Sequence, residues 1–368
     1  MDAYGDAIEL TVHDGVISGG ATNSGELDAS GLTAVAGFVD IQMNGGWGAD
    51  FTHDPDSIWR VGAVLPTTGV TSFCPTIITS SHDRVIAARN ALSTRPNGYI
   101  GAEPIGLHIE GPHLSPERRG THPEELLVSP LDSTIEPQGV AIVTVAPELE
   151  GALELIARLA SAAVTVSIGH SAATAAETIA AIDAGATLGT HLFNAMPPIT
   201  GREPGIAGIL LTDTRARFGV IVDGVHLDAA TVRLAWNAAP DRFILITDAI
   251  SAVGMPEGDY EIGGVAVTLA GGAVRNAAGN LAGSVLTMDV GLANLMRTTG
   301  ASLASAVAAV TSTPAAALNR GDIGTIAVGA RGDITLLDGG SVAGTIVGGR
   351  VCYLQDEDRL QGGHIATS

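Results

Sequence analysis

Eight short apolar runs recur between Gly37 and Ile250, with helix-like stretches between them: GFVDIQM, GVTSFCPTI, PIGLHIEG, VAIVTVAPE, VTVSIGH, TLGTHLFN, RFGVIVDGVH and RFILITDAI. Each is β-branched or aliphatic without strict alternation, the pattern of a parallel strand buried on both faces. Among the intervening segments, TAAETIAAIDAGA has the marks of a helix: Thr174 and Glu177 form a capping box, and Gly185 is placed as a C-cap. Strand and helix in alternation predict an α/β fold. Eight such repeats over roughly 250 to 290 residues predict a (β/α)8 barrel.

The two ends differ from this middle. AIELTVHDGVISGG near the start, and GTIAVGARGDITLLDGG with VAGTIVGGRVCYL near the end, read as short antiparallel β segments. They predict one small β domain from residues 1–36 and 325–368, flanking a barrel over 37–324. The closing QGGHIATS reads as a loose tail.

Composition excludes several classes of function. The chain has 368 residues, 46% hydrophobic, enough for a large core. No apolar run approaches the roughly 18 residues of a membrane span. The opening MDAYGDAIEL carries acids where a signal peptide needs a basic end and an apolar run, so a cytoplasmic location is expected. Cys74 and Cys352 lie far apart, which suggests neither a disulfide framework nor a cysteine zinc site. The net charge of -21 argues against nucleic acid or an anionic membrane as partner. Any anionic substrate must therefore be held by a few local groups. All 18 basic residues are arginine. Without lysine there is no Schiff-base chemistry, no P-loop and no carbamylated lysine to bridge two metals.

Catalytic groups of such a barrel lie at the C-terminal ends of its strands. There the first strand carries Gln42 and Asn44, and the third carries His108 and Glu110. The fifth and sixth end in His170 and His191, the seventh in Asp223 and His226, and the eighth in Asp248. Two neutral imidazoles and a carboxylate bind a divalent metal and leave a position open for water. Glu110, His170 and His191 are the expected ligands, Asp248 the expected base, and His108 a partner behind them. His13, His53, His82, His113 and His364 lack this setting and read as ordinary surface or buried histidines.

The stretches GFVDIQMNGG, LHIEGPHLSPERRGTH, IGHSAAT, GTHLFNAMPPITGREPGIAG, VDGVHLD, ITDAISAVG and LAGSVLTM carry a family resemblance. In order, and over nearly the whole chain, they resemble the N-acetylglucosamine-6-phosphate deacetylases of the amidohydrolase superfamily. The resemblance implies a metal-dependent barrel with a small β-sandwich built from both termini, and a homodimer. It implies hydrolysis of the acetamide of N-acetylglucosamine 6-phosphate to glucosamine 6-phosphate and acetate. By motif, Glu110, His170 and His191 match the metal ligands and Asp248 the general acid/base. His122, beside Thr121, matches a histidine that polarises the amide carbonyl. Asn194 and Ala195 match sugar contacts. Arg202 and His226 match groups holding phosphate and sugar, a partner subunit contributing. Asp223, Gly224 and Val225 sit in the same VDGVH motif, and Leu281, Ala282 and Gly283 match another substrate loop.

Many members of the superfamily carry His-x-His on the first strand for a second metal; here the positions read Gln42 and Asn44. Neutral amides are poor ligands beside imidazole. The expectation is a vestigial second site and one divalent ion per subunit, zinc by its ligand set, with iron, cobalt or manganese as alternatives. Two other readings remain open: a different amide hydrolase, separated by lack of phosphate dependence, and a non-catalytic sugar-phosphate binder, which would be expected to have lost Asp248 or a ligand.

Overall fold

The computed structural model describes residues 1–19 and 26–361. Of the expected tail QGGHIATS only Gln361 falls within them, so His364 lies outside the described residues.

All eight runs are strands. We number them β1 (Phe38–Met43), β2 (Val70–Ile78), β3 (Leu107–Glu110), β4 (Val140–Val145), β5 (Thr165–Ile168), β6 (Leu188–Gly189), β7 (Arg217–Ile221) and β8 (Phe243–Ile246). They pair in parallel in sequence order. The barrel is nearly closed. At the C-terminal mouth Asp248 N donates to Gln42 O at 2.9 Å and Asn44 N to Ala249 O at 2.7 Å, joining β8 to β1. Lower down, Val39 N and Leu245 N donate instead to Val310 O and Ala309 O, so a later segment fills the seam.

The absence of alternation has its cause in two cores. Val39, Ile41, Cys74, Ile142, Ile221 and Ile244 pack in one buried cluster. Phe38, Phe73, Leu107, Val143, Val166 and Phe243 belong to another, shared with the helices. Helix Ala152–Ser161 shows how a helix docks: Ala152, Leu155, Ile156 and Leu159 are buried at helical spacing. Truncating one of these leucines to alanine costs about 2 to 5 kcal/mol. In the helix Ala175–Asp183 the capping box is present: Glu177 N donates to Thr174 Oγ1 and Thr174 N to Glu177 Oε2.

Both ends of the chain contribute to one antiparallel sheet, in the order Arg350–Leu354, Ser341–Val347, Ile334–Asp338, Thr33–Ala36. Leu32, Ala34, Ile334 and Leu336 form its core with Ile8, Leu10 and Val12. It rests on the barrel through Thr335 Oγ1 to Gly69 O and Thr345 Oγ1 to Pro66 O, both 2.7 Å.

One element is absent from the sequence expectations. After β8 the strands Gly258–Ile262, Val265–Ala270 and Ala273–Asn276 form a three-stranded antiparallel meander. Its turns are Gly263-Gly264 and Gly271-Gly272, all at positive φ, as two-residue hairpins require. Asp50 Oδ2 accepts from Gly263 N at 2.9 Å and latches the meander to the barrel mouth.

Candidate active site

Three of the expected metal-binding and catalytic residues share an unusual backbone. His170, His191 and Asp248 have φ of 48°, 27° and 50°, each two positions past the end of its strand. A non-glycine residue pays for this left-handed conformation, and such strain clusters at functional sites. It turns each side chain back over the barrel mouth.

There the groups converge. His191 Nε2 lies 3.0 Å from His170 Nε2 and 3.2 Å from Glu110 Oε1, and His170 Nε2 lies 3.4 Å from the same oxygen. All three residues are buried. His170 donates Nδ1–H to the Arg118 carbonyl at 2.9 Å, so its Nε2 lone pair faces Glu110. A backbone carbonyl in this place fixes the tautomer of a ligating histidine. Among the described residues His191 Nδ1 is buried without a hydrogen-bond partner. Two imidazole nitrogens and a carboxylate oxygen within 3.4 Å require a shared proton or a cation between them. The donor set is one that divalent metals favour, so the residues fit a metal.

Glu110, His122 and His170 form a second candidate triad, with ligand atoms within 4.8 Å of one another. The tautomer of His122 speaks against its being a ligand. Thr79 N donates to His122 Nδ1 at 3.3 Å, with Thr79 Oγ1 2.8 Å from the same atom. The proton of the neutral ring therefore sits on Nε2, which faces Glu110 Oε2 at 3.9 Å. Burial holds this ring neutral, its pKa lowered to about 3. His122 is a hydrogen-bond donor into the site. Gly111 makes the arrangement possible: it stands at φ 94°, and a Cβ there would collide with Thr79 Oγ1.

Asp248 stands beside the triad. Its Oδ1 accepts from Asn44 Nδ2 at 2.8 Å and Gln42 Nε2 at 3.3 Å, while Gln42 Nε2 also donates to Glu110 Oε1 at 3.0 Å. Burial, then the Glu110 charge, push Asp248 up to about 6. Its Oδ2 is left for other chemistry. Glu110 is held well below the usual carboxylate range by His170 and His191, against burial, which acts to raise it.

His108 lies beneath, fully buried. Its Nδ1 faces Ile41 O at 3.1 Å and its Nε2 faces Thr144 Oγ1 at 2.8 Å. A carbonyl only accepts, so Nδ1 carries the proton and Thr144 donates to Nε2. The chain continues to Thr190 Oγ1 at 2.9 Å and Ser167 Oγ at 2.6 Å, running from Ser167 towards His108. It ties β3, β4 and β5 to the turn carrying His191.

A cavity of about 460 Å³ opens above these groups. Glu110, His170, His191 and Asp248 reach it, as do Asn44 and His122. Of the expected substrate contacts, Thr121, Asn194, Ala195 and His226 line it, with Leu281, Ala282 and Gly283 on another wall. Asp223, Gly224 and Val225 do not. The Asp223 carboxylate is occupied in accepting from Val225 N, His226 N and His226 Nδ1, at 2.8, 2.8 and 2.7 Å. It orients His226. Arg202 is exposed and also outside the lining. Sequence reasoning missed Ile78, Ile262 and Arg118, which line the cavity. Ile262 comes from the meander, whose Gly-Gly turns were the available signal. Arg118 lies inside the motif that carries His122, and only the lack of side-chain partners among the described residues marks it out.

A barrel with a Glu, His, His and Asp set at its C-terminal mouth is the frame of a metal-dependent hydrolase. The sequence matches the amidohydrolase family over residues 33–352, and the chain belongs to that family. Among relatives, it is 36% identical to the N-acetylglucosamine-6-phosphate deacetylase of Rattus norvegicus, over 90% of this chain and 86% of that one. It is 38% identical to the N-acetylgalactosamine-6-phosphate deacetylase of Escherichia coli O157:H7, over 82% and 83%. Among solved structures, a mutant N-acetyl-D-glucosamine-6-phosphate deacetylase from Mycobacterium smegmatis, in complex with N-acetyl-D-glucosamine-6-phosphate, superposes with a TM-score of 0.83. It is 34% identical, over 93% of this chain and 94% of that one.

Proposed function

We propose that this chain deacetylates N-acetylglucosamine 6-phosphate to glucosamine 6-phosphate and acetate, with Glu110, His170 and His191 holding one divalent ion, zinc. The observation that carries this reading is the convergence of those three ligand atoms beside Asp248. A divalent ion there supplies Lewis acidity, polarising the amide carbonyl and making a water acidic near neutral pH.

The chain's own groups do the rest. Asp248 Oδ2 takes the proton of the attacking water as the water oxygen bonds to the acetyl carbon. His122 Nε2–H donates to the carbonyl oxygen as its charge grows, and is worth most there because the site is buried. Asp248 then hands the proton to the nitrogen, the C–N bond breaks, and acetate and the amine leave. Asn44 and Gln42 hold Asp248 Oδ1, so Oδ2 is the atom presented. Asn194, Ala195 and the 281–283 wall seat the sugar, and His226, oriented by Asp223, adds a polar contact.

Gln42 and Asn44 place amide donors where a second ion would need ligands, which supports a single metal. The exposed position of Arg202, with apolar Ile199 and Val225 also exposed, supports a homodimer in which Arg202 reaches a neighbouring cavity. We take residues 1–36 and 325–368 as a small β domain and 37–324 as the catalytic barrel. A charged sugar phosphate does not cross membranes unaided, which supports a cytoplasmic location. Among the described residues no helix is long and apolar enough to cross a membrane.

The relative from Escherichia coli favours a second reading, with N-acetylgalactosamine 6-phosphate as substrate. The experiment is acetate release from each of the two sugar phosphates, before and after chelation and metal return. Activity on one epimer at least tenfold above the other would assign the substrate. No acetate from either with metal present would sink the deacetylase reading.

A further inference from the structure

We propose that Arg118 is the cation that this subunit itself contributes to seating the substrate's 6-phosphate, in addition to the Arg202 that a homodimer would bring from its neighbour. This rests on the deacetylase reading above. Two arginines line the cavity, Arg118 and Arg119. They are adjacent in sequence and opposite in commitment. Arg119 is already engaged, Nε with Glu124 Oε2 at 3.2 Å and Nη1 with His122 O at 3.0 Å. The Arg118 side chain has no hydrogen bond or ion pair among the described residues, and its Nε is buried and unpaired. A buried donor without a partner carries a desolvation cost that a ligand oxygen would remove.

The charge around it makes the assignment specific. The cavity holds the carboxylates of Glu110, Asp248 and Glu117, in a chain of net charge -21. A phosphate entering there needs a local cation. Guanidinium offers a planar fork that matches phosphate oxygens in pairs. Arg202 is exposed and outside the lining, so within one subunit Arg118 is the uncommitted guanidinium at the cavity.

Its backbone is fixed as well. Arg118 N donates to Ser115 O at 3.0 Å, and Arg118 O accepts from His170 Nδ1 at 2.9 Å. The residue that grips the phosphate thus starts from a point tied to the residue beneath the scissile amide. Such a link sets the span between phosphate and acetamide in advance, which is preorganisation of the substrate contact.

The test is Arg118→Gln, which keeps the carbonyl on His170, with Arg118→Lys as a second variant. Kinetics are measured on the preferred sugar phosphate and on its unphosphorylated form, alongside metal content. Arg118→Gln should raise KM for the phosphorylated substrate by about tenfold or more, leaving kcat and turnover of the unphosphorylated sugar near wild type. Arg118→Lys should recover part of the loss, and inorganic phosphate should inhibit wild type more strongly than Arg118→Gln. If wild type prefers the phosphorylated sugar and Arg118→Gln prefers it equally, the proposal is wrong and another group holds the phosphate. Equal losses on both substrates, or lost metal, would also overturn it by assigning Arg118 to the loop and His170. A wild type with no preference for the phosphorylated sugar would instead remove the deacetylase reading on which it rests.

Discussion

Gln42 Nε2 donates to Glu110 Oε1 across 3.0 Å, tying the first strand to the carboxylate of the third at the cavity floor. The same amide reaches Asp248 Oδ1 at 3.3 Å, so a neutral donor stands between two carboxylates. A second cation would bridge such a pair if ligands were available. Replacing Gln42 and Asn44 together by histidine supplies two imidazoles. The double variant should bind about two metal ions per chain against about one in wild type, read by elemental analysis after dialysis. An unchanged ratio would mean that the amides are not what keeps a second ion out.

Thr79 and His122 support a second prediction. Thr79 N and Oγ1 both address His122 Nδ1, which places the ring proton on Nε2. Removing that donor altogether, in His122→Ala, should lower kcat by about 10²- to 10³-fold, with KM changed little. Thr79→Val keeps the backbone N–H but loses the hydroxyl, and should give a smaller fall in kcat, with metal content unchanged. A Thr79→Val enzyme at wild-type kcat would show that the backbone donor alone holds the tautomer.

Asp248→Asn isolates the proton transfer. Asparagine fits the same space, and its carbonyl oxygen can still accept from Asn44 and Gln42. Metal content and thermal stability should stay close to wild type while kcat falls by about 10²- to 10⁴-fold. Should metal be lost as well, the loss of activity would report a damaged site and say nothing of a base.

Much of this was legible because parallel strands buried on both faces betray themselves as continuous apolar runs. GFVDIQM and RFILITDAI are readable for that reason, and so are the strand-end positions of Glu110, His170, His191 and Asp248. The capping box of Thr174 and Glu177 is local chemistry and reads directly. The meander at 258–276 was missed although two Gly-Gly pairs mark its turns, since its strands belong to no βα repeat and it reaches the cavity through Ile262. The link from Thr79 to His122 spans 43 residues, and no spacing rule reveals it. Arg118 and Arg119 are the same residue type side by side; only the Glu124 carboxylate and His122 carbonyl separate a committed guanidinium from an uncommitted one.

Asp40 carries a last prediction, about stability and pH. It is buried below the site, accepting from Thr247 Oγ1 at 2.5 Å and Gln42 N at 3.3 Å. Burial outweighs those hydrogen bonds and pushes its carboxyl up to about 7. The unfolded chain releases this proton near the ordinary carboxylate value, so over the interval between, the folded protein binds more protons. Stability must then fall as pH rises through that interval. The contribution is whole below the unfolded value and is lost as pH climbs through about 7. Asparagine at this position cannot ionise. In urea unfolding of the metal-loaded protein between about pH 5 and about pH 8, wild type should lose more stability than Asp40→Asn, and the gap should widen with pH. Parallel curves would mean that Asp40 stays ionised in the fold, held by Thr247 and the Gln42 backbone against the cost of burial.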